Sequence, residues 1–404
     1  MLKIAWKNIW RNKRRSLITA SSIFFTVFLI ILMRGYQLGV YLNLIDGVLH
    51  SYSGYIQIHG KGFWEDRSLD YTFSESEIHS WNLTKINHIS SLIPRLESFA
   101  LVSMAEKTKG IIVLGIDPAA ERSFMKLDKK LIAGRYLTND DNGILVSEGL
   151  ANYLKVSVGD SLVAISQGYQ GSSASGLFKI IGIVKLPAPE FNNQLIFMPL
   201  KLAQDFYSAN GRITTLVLDI DNPKNMDHVI SFANKHIDLK NFEVMSWREM
   251  MVELYQLYMS KQAGGVLVEF ILYLIVGFGV FGTVLMMISE RKYEFAVMMA
   301  LGMRRIRLMY YFGTELAYIC IVGLMTGLLV SISLVTYLHL NPIPVTGELA
   351  KTYASFGFEP KMVIAWQSDY IIQQVINTLI IVILTMIYPV YSILKINIPN
   401  ALRH

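Results

Sequence analysis

One cysteine, Cys320, stands in a chain of 404 residues, so no internal disulfide can form and no thiolate-rich metal cluster can be built. Charge is scarce as well. Asp, Glu, Lys and Arg together make up 17% of the chain, where a soluble domain carries about a quarter. The sequence contains no G-x-x-x-x-G-K-[ST], which excludes ATP binding through a P-loop, and no H-E-x-x-H, C-x-x-C or G-x-S-x-G. The eight histidines never fall four apart on a helical face. His50 and His59 flank the first strand-like run without a carboxylate or cysteine cluster beside them, and they read as solvated or hydrogen-bonded rather than as metal ligands. Nothing here assembles an enzyme, a resident cofactor or a metal site.

What the chain has is apolar surface: 52% of it is hydrophobic. The net charge of +6 does not signal nucleic acid, because the surplus is confined to three short segments. Residues 1–16 hold Lys3, Lys7, Arg11, Lys13, Arg14 and Arg15 and no acid; Arg291, Lys292, Arg304, Arg305 and Arg307 outnumber Glu290 and Glu294; Lys395 and Arg403 lie near the end. Each segment abuts an apolar run, which is the distribution that fixes membrane topology.

Four such runs are long enough to cross a bilayer, which takes about 20 residues. They predict transmembrane helices over 16–40, 263–289, 306–340 and 369–389. Placing all three basic segments in the cytoplasm puts both termini there, leaves 41–262 as one large domain on the far side, and makes 341–368 a short outer loop. Arg34-Gly35-Tyr36 is no small-residue cleavage site, so the first run is expected to be an uncleaved anchor. Ahead of it, over 1–15, Leu2, Ala5, Trp6, Ile9 and Trp10 share one helical face and most basic residues the other, predicting a cytoplasmic interfacial helix. Arg34 is expected to snorkel to the headgroups. Glu315, inside the third run, is expected to pair with the cytoplasmic basic cluster. Gly323 and Gly327 form G-x-x-x-G, a pattern for close helix packing.

The inserted domain reads as mixed α/β. Strands are expected at 54–60, 110–117, 143–147, 160–166, 177–186, 194–200 and 214–220, each β-branched and bounded by Gly, Pro, Asp or Asn. Helices are expected after Ser147, from Asn222-Pro223 to His236, and over 246–259. Gln167 to Gly176, "QGYQGSSASG", is expected to be a long, mobile hairpin tip.

The stretch "ERKYEFAVMMALGMRR" (290–305) carries the most specific signal. Its apolar core is too short to span, yet Ser289 is placed to cap a helix, Glu290 and Glu294 suit its N-terminal end, and Gly302 suits its C-cap. A short helix this apolar needs a partner surface. With "AWKNIWRNKRRSLIT" (5–19) and "YPVYSILKINIPNALR" (388–403), it resembles the FtsX/MacB-type permeases of ABC transporters over essentially the whole chain. Val390 stands where that closing segment commonly has Ala. "GILVSEGLANYLKVSVGDSL" and "LIFMPLKLAQDFY" are most similar to the lipoprotein-releasing LolC/LolE branch.

The resemblance implies an integral membrane α-helical protein with four transmembrane helices and a large mixed α/β extracytoplasmic domain, MacB-like, between helices 1 and 2. It implies a bacterial inner-membrane location. It makes 290–305 a coupling helix gripped by a cytoplasmic ABC ATPase dimer, with Glu290, Arg291, Glu294, Phe295, Met298, Leu301 and Gly302 as the contact set. ATP and Mg would be bound by that partner and no cofactor by this chain. A second permease subunit, the same or paralogous, would complete a cavity for a lipoprotein or other amphipathic substrate among membrane lipids. Phe24, Phe25, Phe28, Leu32, Val266, Phe270 and Tyr273 are the candidate lining. Gln167, Gly168, Tyr169, Gln170 and Gly171 align with the hook that holds a periplasmic chaperone in that branch, although the Pro and Arg typical of the hook are missing. The expected activity is mechanotransmission; MacB-like efflux of peptides or toxins and FtsX-like signalling to periplasmic hydrolases are the alternatives.

Overall fold

A computed structural model describes residues 13–355, 361–396 and 398. Nearly all of the interfacial helix expected over 1–15, and the last residues of the 390–404 tail, lie outside them. The chain divides into two compact units, one built from residues 1–42, 258–344 and 361–404, the other from 43–257 and 345–360.

The first unit is helical. Its long elements are α1 (Lys13–Leu49), α2 (Val252–Glu290), α4 (Arg305–Leu340) and α5 (Ser368–Ser392), with the short α3 (Lys292–Ala300) between α2 and α4. The four long helices are long and apolar enough to cross a membrane. Both α1, at 37 residues, and α2, at 39, exceed what a bilayer needs, because helical sequence continues beyond the apolar run. Helices α1 and α4 pack at glycine. A Cβ on Gly323 would stand 2.6 Å from the Ala20 carbonyl oxygen, and one on Gly327 would stand 3.0 Å from Val27 Cβ. Without a hydrophobic drive inside lipid, such close approach is what van der Waals attraction between helices requires.

The second unit is built on a ten-stranded mixed sheet. In chain order the strands are β1 (Ile56–Gly60), β2 (Phe73–Ser74), β3 (Ile89–Met104), β4 (Lys107–Ile116), β5 (Leu131–Gly134), β6 (Gly143–Ser147), β7 (Ser161–Gln167), β8 (Ser173–Val184), β9 (Leu195–Pro199), β10 (Arg212–Ile213), β11 (Thr215–Ile220) and β12 (Phe242–Ser246). The order is β12-β1-β11-β3-β4-β9-β6-β8-β5, with β7 bridging β3 and β8, while β2 and β10 pair separately. The 16-residue β3 organises it. It pairs along β4, its first half also pairs with β11, and Leu101, Val102 and Ser103 pair with β7.

Several local expectations change. The helix expected over 246–259 is broken. Ser246 and Glu249 form a capping box over one turn, Trp247–Met250, and Met251 leaves helical geometry before α2 begins. The helix after Ser147 forms over Glu148–Leu154, but the Ser147 hydroxyl does not cap it. The hairpin tip is short. β8 starts at Ser173, and pairing persists to Gln167↔Ser173 because Gln170 and Gly171 both take left-handed backbone and reverse the chain at once.

Candidate functional site

Helix α3 is set by its ends. Helix α2 runs on through Ser289 and Glu290, so Ser289 caps nothing; the break falls at Arg291, whose backbone leaves the α region. At the other end Gly302 takes φ +95°, its N–H donates to the Met299 carbonyl at 3.0 Å, and that of Met303 donates to Met298 at 3.0 Å. A Cβ strains that left-handed geometry, which is why glycine ends the helix.

The helix has two faces. Phe295 and Ala296 are fully buried and Met299 nearly so, packed with Leu308, Phe312 and Leu316. The Phe295 and Phe312 rings meet edge to face, with centroids 5.6 Å apart. The opposite side is open: Tyr293 is exposed, and Leu301 is 84% exposed. The expected contact set therefore divides. Phe295 is an inward anchor and cannot meet a partner while the helix is docked; Arg291 is also buried. Leu301, Gly302 and Glu294 face out, and Met298 is half-buried. Glu290 closes α2.

Arg291 sits over the Phe295 and Phe312 rings, donates to Glu315 at 2.7 Å, and lies 3.1 Å from Glu294. Glu315 is almost wholly buried on α4. One guanidinium thus ties the α2–α3 break to α4, as expected for Glu315.

A second polar cluster joins α1, α2 and α5. Arg34 of α1 does not snorkel freely: its Nε lies 3.3 Å from Glu269 of α2, and its Nη1 donates to Gln37 at 3.2 Å. Gln374 of α5 donates to Glu269 at 3.3 Å and accepts from the Tyr273 hydroxyl. Three helices meet in this knot. Its signal in the sequence was a lone base and a lone acid near the ends of two apolar runs, each too costly in lipid without a partner.

The candidate cavity residues divide too. The Phe24 ring stacks on Phe28 and meets Phe25 edge to face. Phe25, Val266 and Phe270 are exposed, Leu32 is half-buried, and Tyr273 is turned inward onto Gln374. Within the chain, Phe270 and Tyr273 line a groove of about 310 Å3 with Phe278, Phe281 and Ile381, not with the α1 residues. The hook residues are held against their own domain. The Tyr169 N–H donates to the Tyr207 carbonyl at 2.8 Å, Arg212 stacks on the Tyr169 ring, and Gly168 is buried, so Gln167, Gln170 and Gly171 are what the tip presents.

The inserted domain holds further buried charge. Arg95 and Glu121 form a bidentate pair at 2.5 and 3.0 Å, and Arg67 meets Glu97 at 2.7 Å while stacking on Trp64. The Tyr52 hydroxyl donates to Glu97, and burial pushes its phenol well up. His59 is enclosed by Phe63 and Trp64 and is held neutral, its pKa pushed down to about 3 by burial first and then by the Arg67 charge.

Four membrane helices, a large α/β insert after the first and a short apolar helix between the second and third define a transporter permease. Family models agree. The MacB-like periplasmic core domain matches residues 16–231, more than half of the chain, and the FtsX-like permease C-terminal matches 266–398. The chain belongs to the FtsX/MacB-type permeases of ABC transporters. It is 22% identical over 253 residues to the lipoprotein-releasing system transmembrane protein LolC of Neisseria meningitidis, covering 61% of each chain. It is 26% identical over 237 residues to the ABC transporter permease YclI of Bacillus subtilis, covering 52% of this chain and 46% of that one. It is 22% identical over 349 residues to the macrolide export ATP-binding/permease protein MacB of Campylobacter jejuni, covering 82% and 52%. The matches thus span roughly half to three fifths of those relatives. Among solved structures, the extracellular domain of YknZ from Gram-positive bacteria is similar at 17% identity over 48% of this chain and 100% of its own, with a TM-score of 0.34. The periplasmic region of MacB from Actinobacillus actinomycetemcomitans follows at 16% over 50% and 93%, with a TM-score of 0.33.

Proposed function

We propose that this chain is the membrane subunit of an inner-membrane lipoprotein-releasing ABC transporter and converts ATP hydrolysis by a separate ATPase into extraction of lipidated cargo. Helix α3 carries the reading. Its buried face, Phe295, Ala296 and Met299, fixes it to the helices behind, while Leu301 offers an apolar knob to a soluble partner. ATP and Mg would be held by that partner, and a displacement of α3 would pass through the Arg291–Glu315 pair into α4. A second permease subunit would close the cargo cavity against α1 and α2, with Phe24, Phe25, Phe28 and Phe270 at its wall. Both termini and α3 would face the cytoplasm. Similarity to LolC supports lipoprotein as cargo. Similarity to MacB covers more of this chain and supports peptide or toxin efflux as the second reading.

The test is reconstitution with the cognate ATPase in proteoliposomes, scoring ATP-dependent release of a lipoprotein against export of a lipid-free peptide. Lipoprotein release that Leu301→Asp abolishes, with the variant still folded, supports the reading. Peptide export without lipoprotein release selects efflux. ATPase binding and transport both indifferent to Leu301→Asp would remove α3 from the coupling role.

A further inference from the structure

The inserted domain contains a cavity of about 610 Å3 whose lining is aromatic and acidic at once. Tyr52 and Phe191 stack at 4.6 Å on one side, and Trp64 forms another. The charged residues are Glu97, Glu190, Glu249 and Glu253 against the single Arg67. That guanidinium is already spent on Glu97 and lies 3.6 Å from the centre of the Trp64 ring, so the cavity itself shows a cation seated on an aromatic face beside a carboxylate.

A separate observation extends the site. Phe99, on the cavity wall, begins an apolar strip on the open face of the sheet. Along β3 it is followed two residues on by Leu101; Leu101 pairs with Ile165 of β7, and Val163 of β7 pairs with Leu177 of β8. All five side chains are between 41% and 67% exposed. Two strand spacings put β8 about 10 Å from β3, so the strip is long enough for an alkyl chain and too narrow for a protein interface, which buries about 800 Å2 per partner. Contiguous exposed apolar surface of this kind marks interaction.

We propose that the cavity and strip together bind one small cationic amphiphile: an amine or quaternary ammonium head among the carboxylates and rings, and an alkyl tail laid over Leu101, Ile165 and Leu177. The charge balance selects the sign of the head, and the one-sided position of the strip selects a single tail. This site is distinct from the membrane cavity of the proposed function and does not depend on the cargo assigned there. Its test measures binding alone, so its failure leaves that reading untouched.

The experiment uses the full chain in phosphatidylcholine nanodiscs and three photoactivatable probes that share a dodecyl tail carrying a diazirine and differ in head: amine, alcohol and sulfate. Crosslinked peptides are mapped by mass spectrometry. The amine is expected to label the 161–184 hairpin at least fivefold more than either control. Glu190→Gln with Glu253→Gln, both at exposed positions, should remove that preference, and Leu101→Asp should remove the labelling, each with unchanged thermal melting. Equal labelling by all three heads, indifference to the glutamate changes, or labelling confined to the membrane helices would overturn the proposal.

Discussion

At the scale of single residues, Phe295 and Leu301 lie six positions apart in one short motif and should respond in opposite ways. Phe295 is fully buried, so Phe295→Ala should cost about 3–5 kcal/mol through the cavity it leaves, read as loss of thermal stability in detergent. Leu301 is 84% exposed, so Leu301→Asp should leave melting within about 0.5 kcal/mol of wild type while lowering affinity for the ATPase. The Arg291–Glu315 pair sits out of water, and Glu315→Ala should cost about 3–5 kcal/mol by stranding the guanidinium. A matched Arg291→Met, Glu315→Met double variant should recover much of that loss; equal losses in single and double variants would show that the pair itself is not what holds α4.

His59 gives a pH prediction at the same scale. Its ordinary pKa is 6.5 and its folded value is about 3. Between those values the unfolded chain binds a proton that the folded domain refuses, so the stabilisation present above about pH 6.5 is lost as pH falls towards 3. Denaturant unfolding of the His59→Gln variant should therefore show a shallower decline over that window than wild type. Parallel curves would mean that His59 does not contribute.

At the scale of elements, Gly323 and Gly327 permit a contact that larger residues forbid. Gly323→Leu should separate α1 from α4, seen as a loss of folded protein on size exclusion. Gly313→Leu, on the same helix with nothing within 4 Å of its Cβ position, should be tolerated. What was readable in advance follows the same logic. "GILVS" is a strand over its whole predicted length because every residue is buried and β-branching agrees with the sheet. The longest strand, β3, was missed because Pro94, Arg95, Glu97 and Ser98 break the apolar pattern, and three of these four polar or kinked positions are buried only by distant partners: Glu121 for Arg95, Tyr52 and Arg67 for Glu97, Tyr207 for the Ser98 region. The motif at 290–302 announced a helix and its glycine stop, since both are local. Which of its residues turn inward was not readable, because that depends on Leu308, Phe312 and Leu316 arriving from α4. The Arg34–Glu269 pair was hidden for the same reason: its halves are more than two hundred residues apart.

At the scale of the whole molecule, the division of labour is set by what each unit is made of. The helical unit carries helix α3 and its buried Arg291–Glu315 pair; the α/β unit carries the aromatic and acidic cavity. A charge-swapped Arg34→Glu, Glu269→Arg chain should restore folding lost in either single variant, because the knot needs opposite charges on α1 and α2 rather than a given residue at each place. Expression level and melting of the three chains decide this, and failure of the swap to rescue would locate the requirement in Gln374 and Tyr273 instead.

The pairing of β1 with β12 has a practical corollary. The first strand of the insert and its last run side by side, Ile56 opposite Ser246, so the polypeptide arrives and departs through neighbouring seats about 4.8 Å apart. A segment whose two ends are already adjacent behaves as a detachable cassette. Exchanging 43–257, which carries the whole lining of the aromatic and acidic cavity, with the corresponding stretch of another permease should transplant head-group preference in photolabelling while leaving the host's affinity for its ATPase in place.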